Sequence, residues 1–209
     1  TMYGDRDYHL IFEILNEPVG MSAGNAQNIQ IAAYNAIRSV DPQRITAITG
    51  TGYSTAGDLA ATWPSLGQVG NGNDDYLMAT VHAYSPWEFA GQDNVGYGDN
   101  YAEADVYAPM NETNGWQNGA GQGTPVYLGE WGIAWGSSLG TMTCDNVRNY
   151  YQNYSGYAGD RGLTTTVWDD GGWFEIWDYG ASAWNNNLYD CIDGTCTWND
   201  GDRFNACGE

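Results

Sequence analysis

Five short apolar segments recur along this chain with helical patterns between them, and that alternation limits the fold more than any other feature. They are Leu10–Leu15, Ile45–Thr49, Leu77–Val81, Val126–Leu128 and Thr164–Trp168. Several are near-continuous apolar runs rather than alternating ones, as expected of parallel strands covered on both faces. Between them, Asn25 to Val40 sets Ile29, Ala32, Ala33 and Ile37 on one helical face and stops at Asp41-Pro42. Asp145 to Tyr157 stacks Val147, Tyr150, Tyr151 and Tyr154; Ala102 to Met110 carries a weaker pattern, and Ser54–Ala61 suits a short helix. This alternation predicts βα units and hence a parallel sheet. One α/β domain is expected over residues 1–209, with an irregular, disulfide-tied tail after Trp177.

The charge balance excludes whole classes of partner. There are 26 acidic residues against 6 basic ones, every one of the latter an arginine, for a net charge of -20. Such a surface repels phosphates and anionic headgroups, so neither nucleic acid nor membrane is an expected partner. No run of about 18 apolar residues suggests a membrane span. The first residues, Thr1 to Asp5, show no signal-peptide pattern. An acidic, lysine-free chain is compatible with an ordinary soluble secreted enzyme or with adaptation to high salt.

Four cysteines, Cys144, Cys191, Cys196 and Cys207, allow three pairings. A local Cys191–Cys196 bridge with a long-range Cys144–Cys207 one is plausible. A zinc site is disfavoured, because no C-x2-C pair exists and the only histidines, His9 and His82, lie far away in sequence. Disulfides point to an oxidising, extracellular location. Calcium in the acidic Asp190–Asp202 stretch is disfavoured for want of a ligand spacing. No cofactor is expected.

Ten Trp and sixteen Tyr exceed what a core of this size needs. Trp63, Trp87, Trp116, Trp131, Trp135, Trp168, Trp173 and Trp177 sit in Gly- and Asn-rich segments that read as loops, where aromatic faces suit sugar rings. The polar candidates cluster in a second way. Asn16-Glu17 follows the first strand, His82 and Tyr84 the third, Glu130 the fourth, and Trp168 closes the fifth. In parallel α/β folds these strand ends open on one face, where active sites are built. Two glutamates leaving apolar strands match the acid and the second carboxylate that glycosidic-bond cleavage requires.

Phe12-Glu13-Ile14-Leu15-Asn16-Glu17-Pro18, Val81-His82-Ala83-Tyr84, Leu128-Gly129-Glu130-Trp131-Gly132 and Thr166-Val167-Trp168-Asp169-Asp170-Gly171 resemble, in order and spacing, the motifs of glycoside hydrolase family 5. This is the large family of cellulases and mannanases. The resemblance runs from about residue 8 to about residue 178. It implies that Glu17 is the acid/base and Glu130 the nucleophile, with carboxyls roughly 5 Å apart and their pKa values driven apart. It further implies that Asn16 binds the sugar 2-hydroxyl, Tyr84 donates to Glu130, His82 helps orient that subsite, and Trp168 is the platform under the scissile sugar. Trp87, Trp131 and Trp173 are candidates for neighbouring subsites.

The implied fold is of the (β/α)8 TIM-barrel type, but incomplete. About five βα units are present and the family's first three strands are missing, with the arginine and histidine those strands carry. Open sheet edges then favour a homo-oligomer that covers them. The function implied is a retaining endo-β-1,4-glucanase, that is, a secreted cellulase acting on β-glucan. A β-mannanase or xyloglucanase of the same family and a non-catalytic glycan-binding fragment are the alternatives.

Overall fold

In the computed structural model, the described residues are 3, 6–91, 101–134, 144–185 and 188–195. Their strands and helices alternate as expected: β1 (Phe12–Glu13), α1 (Ala23–Val40), β2 (Thr46–Ile48), α2 (Ala56–Thr62), β3 (Leu77–His82), α3 (Trp87–Ala90), α4 (Glu103–Asn118), β4 (Val126–Trp131), α5 (Cys144–Asp160) and β5 (Thr164–Val167). These five strands form one parallel sheet in the order β1-β2-β3-β4-β5, each strand beside its successor in sequence. That is the strand order of a partial (β/α)8 barrel. By contact density the chain divides into two compact units, residues 1–82 with 111–128, and residues 83–110 with 129–209.

The first unit is built on β2 and β3. Phe12 pairs with Thr46, and Thr46, Ala47 and Ile48 pair with Leu77, Met78 and Ala79. Every residue of β2 is buried, as the continuous apolar run required. β1 is shorter than the segment Leu10–Leu15, and among the described residues it pairs with β2 alone. Glu13, awkward for a core strand, is exposed there.

The helix before β2 turns a different face inward from the one its apolar spacing suggests. Ala26, Gln30 and Tyr34 are buried on α1, whereas Ile29 is 44% exposed. The reason is the Gln30 amide, whose Oε1 accepts the Thr49 N–H at 2.7 Å while Nε2 donates to the Thr49 carbonyl at 2.9 Å. A fully hydrogen-bonded glutamine can be buried at little cost, and this one locks α1 to the end of β2. Gly50 follows at once; a Cβ there would lie 2.3 Å from the Asp58 backbone of α2, so only glycine lets that helix approach.

Arg44 fastens the N-terminal segment. Its buried guanidinium donates to the carbonyls of Tyr3, Arg6, Asp7 and Leu10 and pairs with Asp41. Trp63 and Trp116, expected in loops, belong to this unit's core. Trp116 Nε1 donates to the Trp63 carbonyl, and Trp63 Nε1 to that of Thr49. α4 runs on past its Pro109 to Asn118 instead of ending near Met110. Its buried Val106, Met110, Thr113 and Trp116 repeat at three to four residues, and that burial outweighs the one backbone bond proline removes.

The second unit is aromatic at its centre. Trp131, at the end of β4, lies flat on Tyr154 of α5, with ring centroids 4.0 Å apart and planes 3° apart. Phe89, Tyr101 and Tyr150 pack against one another, Tyr101 edge-on to Tyr150 and Phe89 tilted against both. Burial pushes the hydroxyls of Tyr150, Tyr151 and Tyr154 far above their ordinary titration range, so they stay neutral. β5 is less covered than its sequence suggests: Thr164 and Thr166 are exposed.

The tail after Trp177 is also more regular than expected. Trp177–Asp178 pairs antiparallel with Ala183–Trp184 as β6 and β7, and a short α6 (Leu188–Ile192) packs on α5. The Ser155 hydroxyl of α5 donates to the Ile192 carbonyl at 2.8 Å. Trp135, residues 196–209 and the side chain of Cys144 lie outside the described residues. The expected cysteine pairings and most of the Asp190–Asp202 stretch fall there. No helix among the described residues is long and apolar enough to cross a membrane.

Candidate active site

The two candidate glutamates lie one in each unit. In the first, β1 runs out through Leu15 to Asn16 and Glu17, and buried Pro18 then turns the chain. Glu17 Oε1 lies 2.7 Å from His82 Nδ1, and the imidazole is almost fully buried while the carboxylate is about a quarter exposed. One proton lies between the two in either state. An ionised Glu17 accepts it from Nδ1–H, and a protonated Glu17 donates it to Nδ1. A carboxyl partly open to water and held this way can give up a proton and take one back. His82, expected to orient the nucleophile's subsite, places its Nδ1 on the acid/base candidate.

Ser54 was not singled out from sequence, yet it ties this half together. It is fully buried and has a left-handed φ of 56°. Its hydroxyl donates to the Asn16 carbonyl at 2.5 Å, and its own carbonyl accepts the His82 N–H at 2.9 Å. One residue therefore sets the backbone beside Glu17 and the backbone carrying its partner. No sequence signal marks it, because serine in a Gly-Tyr-Ser-Thr loop reads as ordinary turn chemistry. Asn16 itself is exposed.

In the second unit, Glu130 lies one residue before the end of β4. The Tyr84 hydroxyl donates to its Oε2 at 2.9 Å, and the Ala83 N–H donates to its backbone carbonyl at the same distance. This is the hydrogen bond expected of Tyr84. Its ring stands edge-on to Trp87, at 6.1 Å and 89°, and to Phe174, at 5.1 Å and 61°. Trp87 and Trp173 are each half exposed and Trp168 is 39% exposed, so these three can offer ring faces to a sugar. Trp168 is anchored by its N–H, which donates to the Trp131 carbonyl at 2.8 Å.

Trp131 is the exception among the expected subsite residues. It is fully buried against Tyr154 and Tyr151 and presents no face to solvent. Strand alternation accounts for this: Glu130 and Trp131 are adjacent on β4 and point to opposite sides of the sheet, so the indole lies against α5 and the carboxylate on the other face.

Comparison with known proteins places these features in a family. The pattern of "Cellulase (glycosyl hydrolase family 5)" matches residues 1–172. Endoglucanase H of Acetivibrio thermocellus is 29% identical over 177 residues, covering 81% of this chain and 17% of that protein. Endoglucanase B of Neocallimastix patriciarum is 27% identical over 182 residues, covering 81% of this chain and 37% of that one. The structure of Thermotoga maritima Cel5A in complex with mannotriose superposes with a TM-score of 0.75 at 19% identity, over 91% of this chain and 61% of that one. The chain thus spans less than two thirds of the length of each.

Proposed function

Because the chain belongs to glycosyl hydrolase family 5, we propose that it hydrolyses β-1,4-linked glucan internally and with retention, using Glu17 as acid/base and Glu130 as nucleophile. The observation that carries this reading is the hydrogen bond from Tyr84 to Glu130. A neutral hydroxyl on one carboxylate oxygen fixes the orientation in which the carboxylate meets the anomeric carbon. As the glycosidic C–O bond breaks, the leaving oxygen takes the proton of Glu17, and the sugar stays as an ester on Glu130. Glu17, now ionised, accepts a proton from water, whose oxygen displaces Glu130 and restores both groups. Retention requires two such carboxyls to stand roughly 5 Å apart.

Asn16 would bind the 2-hydroxyl, and Trp168 would carry the scissile sugar, with Trp87 and Trp173 in adjoining subsites. No cofactor enters, since two carboxyls suffice. The same reading makes the protein a secreted one that meets polysaccharide outside the cell and associates with copies of itself across its sheet edges. A monomer by light scattering at micromolar concentration would remove that last element.

The test is reducing-sugar release from carboxymethyl-cellulose, mixed-linkage β-glucan, xyloglucan and mannan, with Glu130→Gln and Glu17→Gln beside the unsubstituted chain. Proton NMR of the first-formed anomer reports retention. Release by the unsubstituted chain alone, with β configuration kept, supports the proposal, and the preferred polymer separates glucanase from mannanase or xyloglucanase. Affinity for glucan with no release from any polymer would instead make the chain a glycan-binding protein.

A further inference from the structure

The turn after β5 is held by two carboxylates that the proposed chemistry leaves unused. Asp169 Oδ1 accepts the Gly171 N–H at 2.7 Å, and its Oδ2 accepts those of Ile176 and Trp177 at 3.0 and 2.9 Å. Asp170 Oδ1 accepts the N–H groups of Gly172 and Phe174 at 2.8 and 2.9 Å. Five backbone donors within residues 171–177 thus end on two adjacent side chains. Charged acceptors make such bonds strong, and a loop with this many of them has few alternative conformations.

What the turn carries is specific. Phe174, buried at its middle, sets its ring against Tyr84, and the Tyr84 hydroxyl holds Glu130. The chain leaving Glu130 comes close to the same turn. A Cβ on Gly132 would sit 3.6 Å from the Trp168 carbonyl oxygen and 3.7 Å from the Phe174 ring, at a φ of +155°.

We infer that Asp169 and Asp170 are positioning residues for Glu130: they fold the turn that seats Phe174 against Tyr84, and thereby aim the Tyr84 hydroxyl at Glu130. The kinetic consequence rests on the hydrolase reading; the structural one does not. The two carboxylates differ in what an amide can replace. Asp170 uses one oxygen, which asparagine retains. Asp169 uses both, so asparagine would turn an NH2 group onto a backbone N–H.

The experiment uses the full chain labelled with fluorotyrosine, with the Tyr84 resonance assigned by its loss in Tyr84→Phe. Fluorine NMR spectra are compared for Asp169→Asn, Asp170→Asn and Asp170→Ala, and kcat and KM are measured on the preferred glucan. The Tyr84 resonance should shift or broaden in Asp169→Asn and Asp170→Ala and stay in place in Asp170→Asn. In the same two variants kcat should fall about tenfold or more with KM little changed, because the loss is one of alignment. In a Tyr84→Phe background Asp169→Asn should cost much less than in the unsubstituted chain, since its route to Glu130 is already cut. An unmoved Tyr84 resonance in Asp169→Asn and Asp170→Ala, or fully additive losses in the double variant, overturns the inference. If Asp169→Asn does not fold by circular dichroism, the contrast between Asp170→Ala and Asp170→Asn decides alone. Absence of hydrolysis by the unsubstituted chain sinks the hydrolase reading only, and the Tyr84 resonance then decides the positioning.

Discussion

Ser54 donates its hydroxyl to the carbonyl oxygen of Asn16 across 38 residues of sequence, from a backbone conformation that serine seldom adopts. The buried hydroxyl fixes the peptide just before Glu17, and the Ser54 carbonyl takes the N–H of His82. Replacing it by alanine keeps the left-handed strain and orphans the Asn16 carbonyl. Stability should drop by about 1–3 kcal/mol, measured by urea unfolding. Activity should fall by more than that loss explains, because Glu17 and His82 lose their common anchor. A Ser54→Ala variant with full kcat would show that the clamp is purely structural.

Trp168 and Trp131 separate cleanly on exposure. Trp168→Ala should weaken binding of a soluble cello-oligosaccharide by about 1–3 kcal/mol, the scale of a lost aromatic contact, with little change in thermal midpoint. Trp131→Ala should do the opposite, costing about 3–5 kcal/mol of stability by emptying a core site against Tyr154. Isothermal titration and thermal unfolding of both variants check this together.

Asp74 predicts a pH dependence. Burial alone would raise its pKa, but donors from Tyr34, Arg38 and the Tyr76 backbone outweigh burial and hold the carboxyl below its ordinary value. A depressed folded-state pKa contributes stability above the unfolded pKa of about 3.9 and loses it as pH falls through the folded value. Asp74→Asn should therefore cost about 2 kcal/mol near neutrality. The difference from the unsubstituted chain should shrink progressively below about pH 4. A gap that stays constant down to pH 2 would contradict the assignment.

With 26 acidic residues, 6 arginines and no lysine, the folded chain repels itself. Screening acts within about 3 Å at 1 M salt. The unfolding midpoint is expected to rise between low and molar NaCl. A flat or falling midpoint would assign the acidity to solubility alone.

The order of elements was legible in the sequence because each is specified locally. Ile45–Thr49 and Leu77–Val81 are apolar enough to be strands wherever they fall, and Asp41-Pro42 ends α1 whatever surrounds it. Glu17, Glu130 and Tyr84 could be found because each sits just beyond or at the end of such a strand, in a short motif. Tertiary structure decided the rest. Whether a tryptophan is a sugar platform or a core residue depends on what packs against it, so Trp168 and Trp131 look alike in sequence and differ completely in exposure. The inward face of α1 was set by the Thr49 backbone, whose N–H and carbonyl the Gln30 amide answers together, and not by the apolar count. His82 on Glu17, and Ser54 between Asn16 and His82, join residues dozens of positions apart. A local pattern encodes how a segment folds. Which polar group answers which across that distance is settled only when burial forces each one to find a partner.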